Sequence, residues 1–166
     1  MDSVTVRKAE RKDLEAMLCI YNSEVLNGVS TFDIRPKTVE EWEDWFSVHN
    51  KGNHPLYVAE TAGSVAGYAS LSAYRDRAAF DTTVELSVYV AQSLRRQGIG
   101  DLLMQRMIEE ARRDENTHLI VSVITSENTA SIRMHEKFGF TYCGTLREVG
   151  FKMGKYRSVD HYTLQV

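Results

Sequence analysis

Cysteine is scarce in this sequence, and long apolar runs and an excess of positive charge are missing. The 166 residues include two cysteines, Cys19 and Cys143, which lack the spacing of a metal site. No run approaches the roughly 20 apolar residues that span a bilayer, and the amino end has no apolar segment of signal-peptide length. We therefore expect a cytoplasmic protein that has no membrane contact.

The two cysteines are predicted to be buried, reduced packing residues. Cys19 falls in a helical apolar pattern and Cys143 in a strand-like one, and free cysteine usually behaves as a small hydrophobe. The histidines at positions 49, 54, 118 and 161 have no ligand spacing either. The sequence thus predicts no metal ion.

The charge balance argues against a nucleic-acid-binding protein. The formal net charge is -3, and the only local basic cluster is the pair Arg95 and Arg96. A composition of 43% hydrophobic and 26% charged residues is ordinary for a globular chain. Without repeats, linkers or low-complexity segments, residues 1–166 are predicted to form one domain that handles a small molecule.

One stretch, residues 83–103, organises the rest of the chain. Polar and aliphatic residues alternate from Thr83 to Val90, which predicts a strand with Glu85 on one face. Two glycines, Gly98 and Gly100, then open a helix. Because glycine has no Cβ, backbone N–H groups at this positive helix end can approach a bound anion, and a diphosphate fits best.

Three known glycine motifs compete for this turn. The phosphate loop of nucleotide triphosphatases requires a lysine after the last glycine, and none follows Gly100. A dinucleotide fingerprint requires a third glycine where Leu103 stands. The remaining pattern is Arg/Gln-x-x-Gly-x-Gly/Ala, written here as Arg95-x-x-Gly98-x-Gly100. A plain turn made by two glycines is the alternative.

The other patterns complete a β-α-α-β-β-β-α-β-α-β-β order, which predicts a mixed sheet with helices on both faces. Asp13 is expected to cap the first helix, and Thr38 with Glu41 forms a capping box for the second. Trp42, Trp45, Phe46 and His49 follow as an aromatic core stripe. A hairpin turns at residues 61–64. The last two strands are predicted at 140–146 and 156–164, joined through residues 148–154.

The Arg95-x-x-Gly98-x-Gly100 turn resembles the pyrophosphate motif of the GCN5-related N-acetyltransferases (GNAT), and the element order matches that family over nearly the whole chain. The likeness is closest to the phosphinothricin/methionine sulfoximine acetyltransferase branch. It is carried by Ile20-Tyr21-Asn22, Gly67-Tyr68-Ala69-Ser70, Thr83 to Val90, Asn128-x-Ala130-Ser131, His135 with Phe138-Gly139-Phe140, and Arg147 to Lys152.

The resemblance implies an α/β GNAT fold and acetyl-CoA as cosubstrate. The fold would have a mostly antiparallel central sheet of about seven strands, splayed at the cofactor site. In the family, the splayed strand leaves backbone groups free for the pantetheine arm, so a bulge or a parting of strands is expected near Val88. The implied cofactor residues are Val88, Tyr89, Val90, Arg95, Arg96, Gln97, Gly98, Ile99, Gly100, Asp101, Asn128 and Ser131.

Glu85 is the candidate general base. A partly desolvated carboxylate has a raised pKa and can take the proton of an ammonium group, and the family places its base at this glutamate. A strand carboxylate that faces solvent or pairs with an arginine is the alternative. His135 stands where many acetyltransferases have a tyrosine whose hydroxyl protonates the leaving thiolate. His135 is therefore either a general acid or a simple hydrogen-bond partner.

Four residues are candidates for binding the acceptor: Phe32, Arg75, Arg77 and Phe80. Arginine suits a carboxylate or phosphinate, although a neighbouring aspartate, 76 or 81, is an alternative partner. Phe32 either lines the pocket or packs beneath the following helix. Lys152 and Tyr156 belong to the pocket or to the interface of an expected homodimer.

The expected activity is direct acetyl transfer, without an acyl-enzyme, to the α-amino group of an analogue such as phosphinothricin or methionine sulfoximine. Such an enzyme would confer antibiotic or herbicide resistance. The alternatives are a GNAT enzyme acting on a polyamine, an aminoglycoside or a protein amino terminus, and a non-catalytic acyl-CoA sensor.

Overall fold

The structure is a computed structural model that describes residues 3–166. Its elements follow the predicted order. The strands are β1 (Thr5–Lys8), β2 (Leu56–Thr61), β3 (Ser64–Ala73), β4 (Thr83–Val90), β5 (Leu119–Thr125), β6 (Thr141–Lys152) and β7 (Lys155–Gln165), and the helices are α1 (Leu14–Asn27), α2 (Val39–Ser47), α3 (Ile99–Arg113) and α4 (Thr129–Lys137).

The seven strands form one sheet in the order β1-β2-β3-β4-β5-β7-β6. Every neighbouring pair is antiparallel except β4 and β5, which run parallel. The long α3 crossover makes a parallel pair possible because it returns the chain to the starting end of the sheet. The expected α/β fold with a mostly antiparallel sheet is confirmed.

Helices cover both faces of the sheet, as predicted. On one face, α3 buries Leu103 and Met107 completely against strand residues such as Leu71. Full burial of a leucine of this kind contributes about 1.5–3 kcal/mol to folding. On the other face, α1 and α2 pack Met17 and Trp42 around Tyr68. Among the described helices, none is both long and apolar enough to cross a membrane.

The parallel pair comes apart halfway along its length. β4 is paired with β5 only from Thr83 to Glu85, opposite residues 119–121. Beyond that point β4 stays paired with β3 as far as Val90, while β5 pairs with β7 as far as Thr125. The parting of strands expected near Val88 is therefore present, and it leaves a cleft between β4 and β5.

The predicted end of β6 was wrong, whereas β7 lies within one residue of its predicted bounds. β6 runs to Lys152 and β7 starts at Lys155, so the segment predicted as a connection is mostly strand. Glu148 has a φ of 51° within a register shift between Leu146 and Gly150. This bulge interrupts the alternation of polar and apolar residues from which a strand is recognised.

Both cysteine predictions were also wrong, because Cys19 and Cys143 are exposed. Cys19 follows the buried Leu18 on α1 and points away from the core, and Cys143 lies on the edge strand β6. Asp13 precedes α1 as predicted, yet its side chain does not cap that helix. It instead accepts two hydrogen bonds from Arg7, at 2.7 and 2.9 Å.

Candidate active site

Glu85 lies at the end of the paired part of β4, where the cleft between β4 and β5 begins. Its side chain is half-buried, and burial raises the pKa of the carboxyl group, while the charge of Arg75 lowers it. Among the described residues, no hydrogen bond or ion pair engages this carboxylate. The solvent-exposed alternative does not apply, and the group is available to a ligand.

A cavity of about 350 Å³ lies between the sheet and α2. Ser72 is the cross-strand partner of Glu85, and Ser70 is the partner of Ser87, so all four residues project from the same face of the sheet. The three serines form a polar floor next to the carboxylate. The walls are aromatic and the rim is charged: Tyr21, Trp42, Trp45, Tyr68 and Tyr89, with Asp33, Lys37 and Glu41.

A second cavity, of about 460 Å³, lies over β5, β7 and β6 on the same face. Phe80 lines it together with Tyr74, and the two rings pack edge to face at 5.7 Å. The Arg75 guanidinium stacks over Tyr74 at 5.1 Å, and Arg77 is exposed. Within the described chain neither arginine forms an ion pair, so the expected alternative with aspartate 76 or 81 is not observed.

The backbone of residues 88–90 is paired on one side only. Val88, Tyr89 and Val90 face β3 residues across the ladder, whereas the edge toward β5 is open. Within residues 3–166, the N–H and C=O groups directed to that edge have no strand partner. Buried backbone groups need a hydrogen-bond partner, so a bound molecule that covers this edge has to supply it. The cleft therefore offers backbone donors and acceptors to an extended molecule.

The glycine loop lies at the end of this cleft and begins α3. Gly98 has a φ of 80° and Arg96 one of 64°, so two residues of the loop are left-handed. A Cβ on Gly98 would meet nothing within 4 Å, which shows an open space beside the helix end. Gln97, Ile99, Gly100 and Asp101 complete the loop and first turn, where the N–H groups lack intrahelical acceptors.

The side chains around the loop are already paired. Arg95 donates to Glu24 at 2.7 Å, and Glu24 also accepts from the backbone N–H of Ser30. Although burial raises the pKa of Glu24, these hydrogen bonds bring it below its ordinary value. Asp101 pairs with Lys137 of α4 at 2.6 Å. The loop is thereby tied to α1 and α4.

Hydrogen bonds connect His135 to Ser131 and Ser131 to Asn128 at the start of α4. Asn128 caps the helix by accepting from Ser131 N–H at 3.2 Å, and its amide donates to Ser30. His135 is 4% exposed. Its Nδ1 contacts the Ser131 carbonyl at 2.8 Å and its Nε2 contacts Ser122 at 3.0 Å. With both nitrogens occupied, the ring has the environment of a structural histidine.

Phe32 lies in the loop between α1 and α2 and contacts β6. A Cβ on Gly150 would come within 2.4 Å of the Phe32 ring, so the two residues are in close contact. The neighbouring Thr31 carbonyl accepts from Lys152 at 2.7 Å. Burial lowers the pKa of this lysine. Tyr156 is 64% exposed on β7.

Two residues next to Glu85 were not predicted from the sequence. His49 was predicted as part of the aromatic core stripe of the second helix, and no role was predicted for Ser72, but the two side chains meet at 2.8 Å. The alternation along β3 contained the only signal, because it places Ser70 and Ser72 on one face. Among residues 3–166, no group of three or more His, Cys, Asp or Glu side chains is arranged to hold a metal ion.

Comparison with known proteins agrees with this geometry. The profile of the acetyltransferase (GNAT) family matches residues 15–140. A phosphinothricin N-acetyltransferase of Streptomyces coelicolor is 40% identical, over 96% of this chain and 94% of its own. An L-methionine sulfoximine/L-methionine sulfone acetyltransferase of Salmonella typhimurium is 36% identical, over 98% and 95% of the two chains.

A solved structure is similar over the same extent. It is the GNAT superfamily phosphinothricin acetyltransferase of Sinorhizobium meliloti in complex with acetyl-CoA, with a TM-score of 0.93 and 31% identity. The match covers 98% of this chain and 88% of that one. The chain belongs to the GNAT family and is an N-acetyltransferase.

Proposed function

We propose that this enzyme transfers the acetyl group of acetyl-CoA to the α-amino group of a small amino acid analogue of the phosphinothricin or methionine sulfoximine/sulfone type. The two curated relatives carry those activities in their names. One structural observation carries the proposal. An unpaired, half-buried glutamate stands where a cleft opens between two strands, and that cleft leads to the glycine loop.

The residues of the cleft fit acetyl-CoA, which supplies an activated acetyl thioester. The open edge of β4 offers backbone hydrogen bonds to the pantetheine arm and the acetyl oxygen from Val88 and Val90, while the N–H and C=O groups of Tyr89 between them face β3. The pyrophosphate would be bound by N–H groups of residues 97–101, with Arg95 and Arg96 at the same loop. The space next to Gly98 supports this assignment, because a side chain there would occupy it.

Glu85 acts as the general base in this proposal. Its raised pKa suits a group that takes a proton from an ammonium ion near neutral pH, directly or through a water molecule. The resulting neutral amine attacks the acetyl carbon directly, and the C–S bond of the thioester breaks. CoA leaves as a thiolate, which takes the second proton of the attacking nitrogen directly or through water, so neither cysteine serves as an acyl carrier. The proposal leaves His135 out of the chemistry, since both of its nitrogens are hydrogen-bonded within the core.

The acceptor would be held from both sides of Glu85. Arg75 and Arg77 lie in the same connection as Tyr74 and Phe80, which line the 460 Å³ cavity, and neither forms an ion pair within residues 3–166. Their guanidinium groups suit the acidic group of the analogue. Phe32 would contribute by holding its loop against β6 rather than by direct contact. Asn128 and Ser131 would support the cofactor from the start of α4.

We also propose that the enzyme is a homodimer formed through β6 and β7. β6 is an edge strand, and exposed apolar residues cluster on this hairpin. They are Tyr142, Leu146, Val149, Phe151, Met153 and Tyr156, exposed by 51–64%. The cytoplasmic location predicted from the sequence stays a prediction.

Release of free thiol from acetyl-CoA across a panel of amines tests the activity. The panel comprises phosphinothricin, methionine sulfoximine and sulfone, free amino acids, spermidine, an aminoglycoside and a peptide. We expect the highest kcat/KM for the amino acid analogues and resistance to them in cells that express the enzyme. Preference for spermidine, the aminoglycoside or the peptide would contradict the proposed acceptor. Tight acetyl-CoA binding without acetylation of any amine would favour the sensor instead.

A further inference from the structure

His49 is a buried histidine that the proposed mechanism does not use. It is 5% exposed and lies just beyond the carboxyl end of α2. Its ring stacks near Trp45 at 4.3 Å. The titratable groups that bear on it are His54, with a ring centroid 6.5 Å away, and Glu85, across the ladder from Ser72. The hydrogen bonds of His49 decide whether it only stabilises the fold or also acts on the site through Ser72.

The hydrogen bonds of His49 fix the positions of its protons. Nδ1 lies 2.7 Å from the Trp45 carbonyl, which only accepts, so Nδ1 carries a hydrogen. Burial lowers the pKa of His49, and the ring is therefore neutral near pH 7. A neutral imidazole with hydrogen on Nδ1 has a lone pair on Nε2. Ser72, whose Oγ lies 2.8 Å from Nε2, must then donate its hydroxyl proton to His49.

In this arrangement the Ser72 hydroxyl oxygen can only accept further hydrogen bonds. A hydroxyl has one donor and two lone pairs, and the donor is used by His49. The oxygen lines the 350 Å³ cavity next to Glu85, its partner across the β3–β4 ladder. Side chains directly opposite in such a ladder have Cβ atoms about 4.5–5.5 Å apart. One amine nitrogen can therefore contact both residues.

We infer that His49 and Ser72 form a positioning pair that binds the acceptor's amine. Ser72 accepts one N–H of the ammonium group while Glu85 faces another, which orients the nitrogen for loss of a proton to the carboxylate. His49 has a second effect, because it keeps the Ser72 hydroxyl from donating to Glu85. A donated hydrogen bond would stabilise the carboxylate and weaken it as a base. This inference rests on the proposed role of Glu85.

The pH dependence of kcat/KM separates this role from a purely structural one. In His49→Phe a phenyl ring replaces the imidazole and Nε2 is lost, so the Ser72 hydroxyl is free to donate to Glu85. We expect the acidic limb of the profile to move to lower pH. His49→Gln retains an acceptor and should keep the wild-type limb. A limb that does not move in His49→Phe would overturn the inference, whatever happens to the melting temperature.

Acceptor binding tests the pair without catalysis. In calorimetry with L-methionine sulfoximine and CoA, Ser72→Ala should bind the acceptor about 10- to 100-fold more weakly, as expected for a lost hydrogen bond to a charged group. Ser64→Ala removes an exposed hydroxyl at the start of the same strand, outside the cavity, and should change the affinity less than threefold. Equal losses in the two variants would overturn the inference.

If His49→Phe fails to fold, the binding measurement still tests the inference, because it does not use that variant. Glu85→Gln is assayed in parallel. Wild-type turnover in that variant would contradict the proposed base, whereas the binding comparison of Ser72→Ala with Ser64→Ala would still decide whether Ser72 holds the amine. The two failures are thus distinguishable.

Discussion

Glu85 pairs with Val121 on the last rung at which β4 and β5 lie side by side. Val121 lines the cavity over β5, and Ser72 on the opposite side of Glu85 lines the cavity beneath α2. The carboxylate therefore stands between two spaces and at the start of a third, the cleft between the strands. One side chain can serve an acceptor and a cofactor that arrive from different directions.

The glycine loop predicts a specific loss of cofactor binding. Gly98→Val should weaken the binding of acetyl-CoA more than 100-fold, because the new side chain would occupy the space proposed for the pyrophosphate. Its cost to folding should be only the strain of a left-handed residue, about 1–2 kcal/mol. Isothermal calorimetry and thermal unfolding measure the two effects.

Gly63→Val is the matched control for that variant. Gly63 has a φ of 74°, and a Cβ added there would meet nothing within 4 Å. A valine at this position therefore has the same backbone strain, but in the turn between β2 and β3. It should lose a similar amount of stability and keep its affinity for acetyl-CoA. Gly100 is less suitable, since a Cβ there would lie 3.2 Å from Met134 Sδ and disturb the core. Equal affinity in Gly98→Val and Gly63→Val would contradict the pyrophosphate assignment.

Much of this arrangement was predictable from the sequence, because local patterns determine it. The alternation around Glu85 and the capping box at Thr38 and Glu41 each appear as expected. The bulge at Glu148 was not predictable, since it depends on the register with β7. The contact between His49 and Ser72 spans 23 positions and depends on how α2 packs on β3.

Arg75 and Arg77, in the connection that contains Phe80, predict which part of the acceptor is recognised. Arg77→Ala and Arg75→Ala should each raise KM for methionine sulfoximine about 10-fold or more, with KM for acetyl-CoA unchanged. The effect should disappear with the decarboxylated amine, which lacks the acidic group. Equal losses for both acceptors would assign the arginines another role. Arg113→Ala, an exposed arginine at the end of α3, serves as the control.

His135 is predicted to stabilise the fold in a pH-dependent way. Burial lowers its pKa below 6.5, so the unfolded chain takes up more protons than the folded one as the pH falls through that value. The free energy of unfolding should therefore fall between about pH 7.5 and 5.5. In His135→Leu this dependence should be smaller, as denaturant titrations at both values would reveal. A large drop in kcat with unchanged stability would instead restore His135 as an acid.

The apolar hairpin predicts how the subunits associate. Phe151 and Tyr156 are 60% and 64% exposed and pack against each other at 5.1 Å. Phe151→Asp should convert a dimer into a monomer, as measured by light scattering. Leu26→Asp, which places the same charge at a 58% exposed site on α1, should leave the dimer intact. A wild-type mass equal to one chain would contradict the proposed interface.

Replacement of the Glu85 carboxylate by an amide is expected to lower turnover and to raise the stability of the fold. Glu85→Gln should lower kcat about 10²- to 10⁴-fold, the usual contribution of a general base. The folded state raises the pKa of Glu85 above 4.5, so at higher pH the ionised group costs folding free energy, and the amide should raise the free energy of unfolding at neutral pH.

The most direct measurement determines kcat and the dissociation constant of acetyl-CoA for wild type and Glu85→Gln under the same conditions. We predict a loss of kcat of at least about 100-fold with an unchanged dissociation constant. Turnover that survives the substitution, or a parallel loss of cofactor affinity, would contradict the assignment of Glu85 as the base.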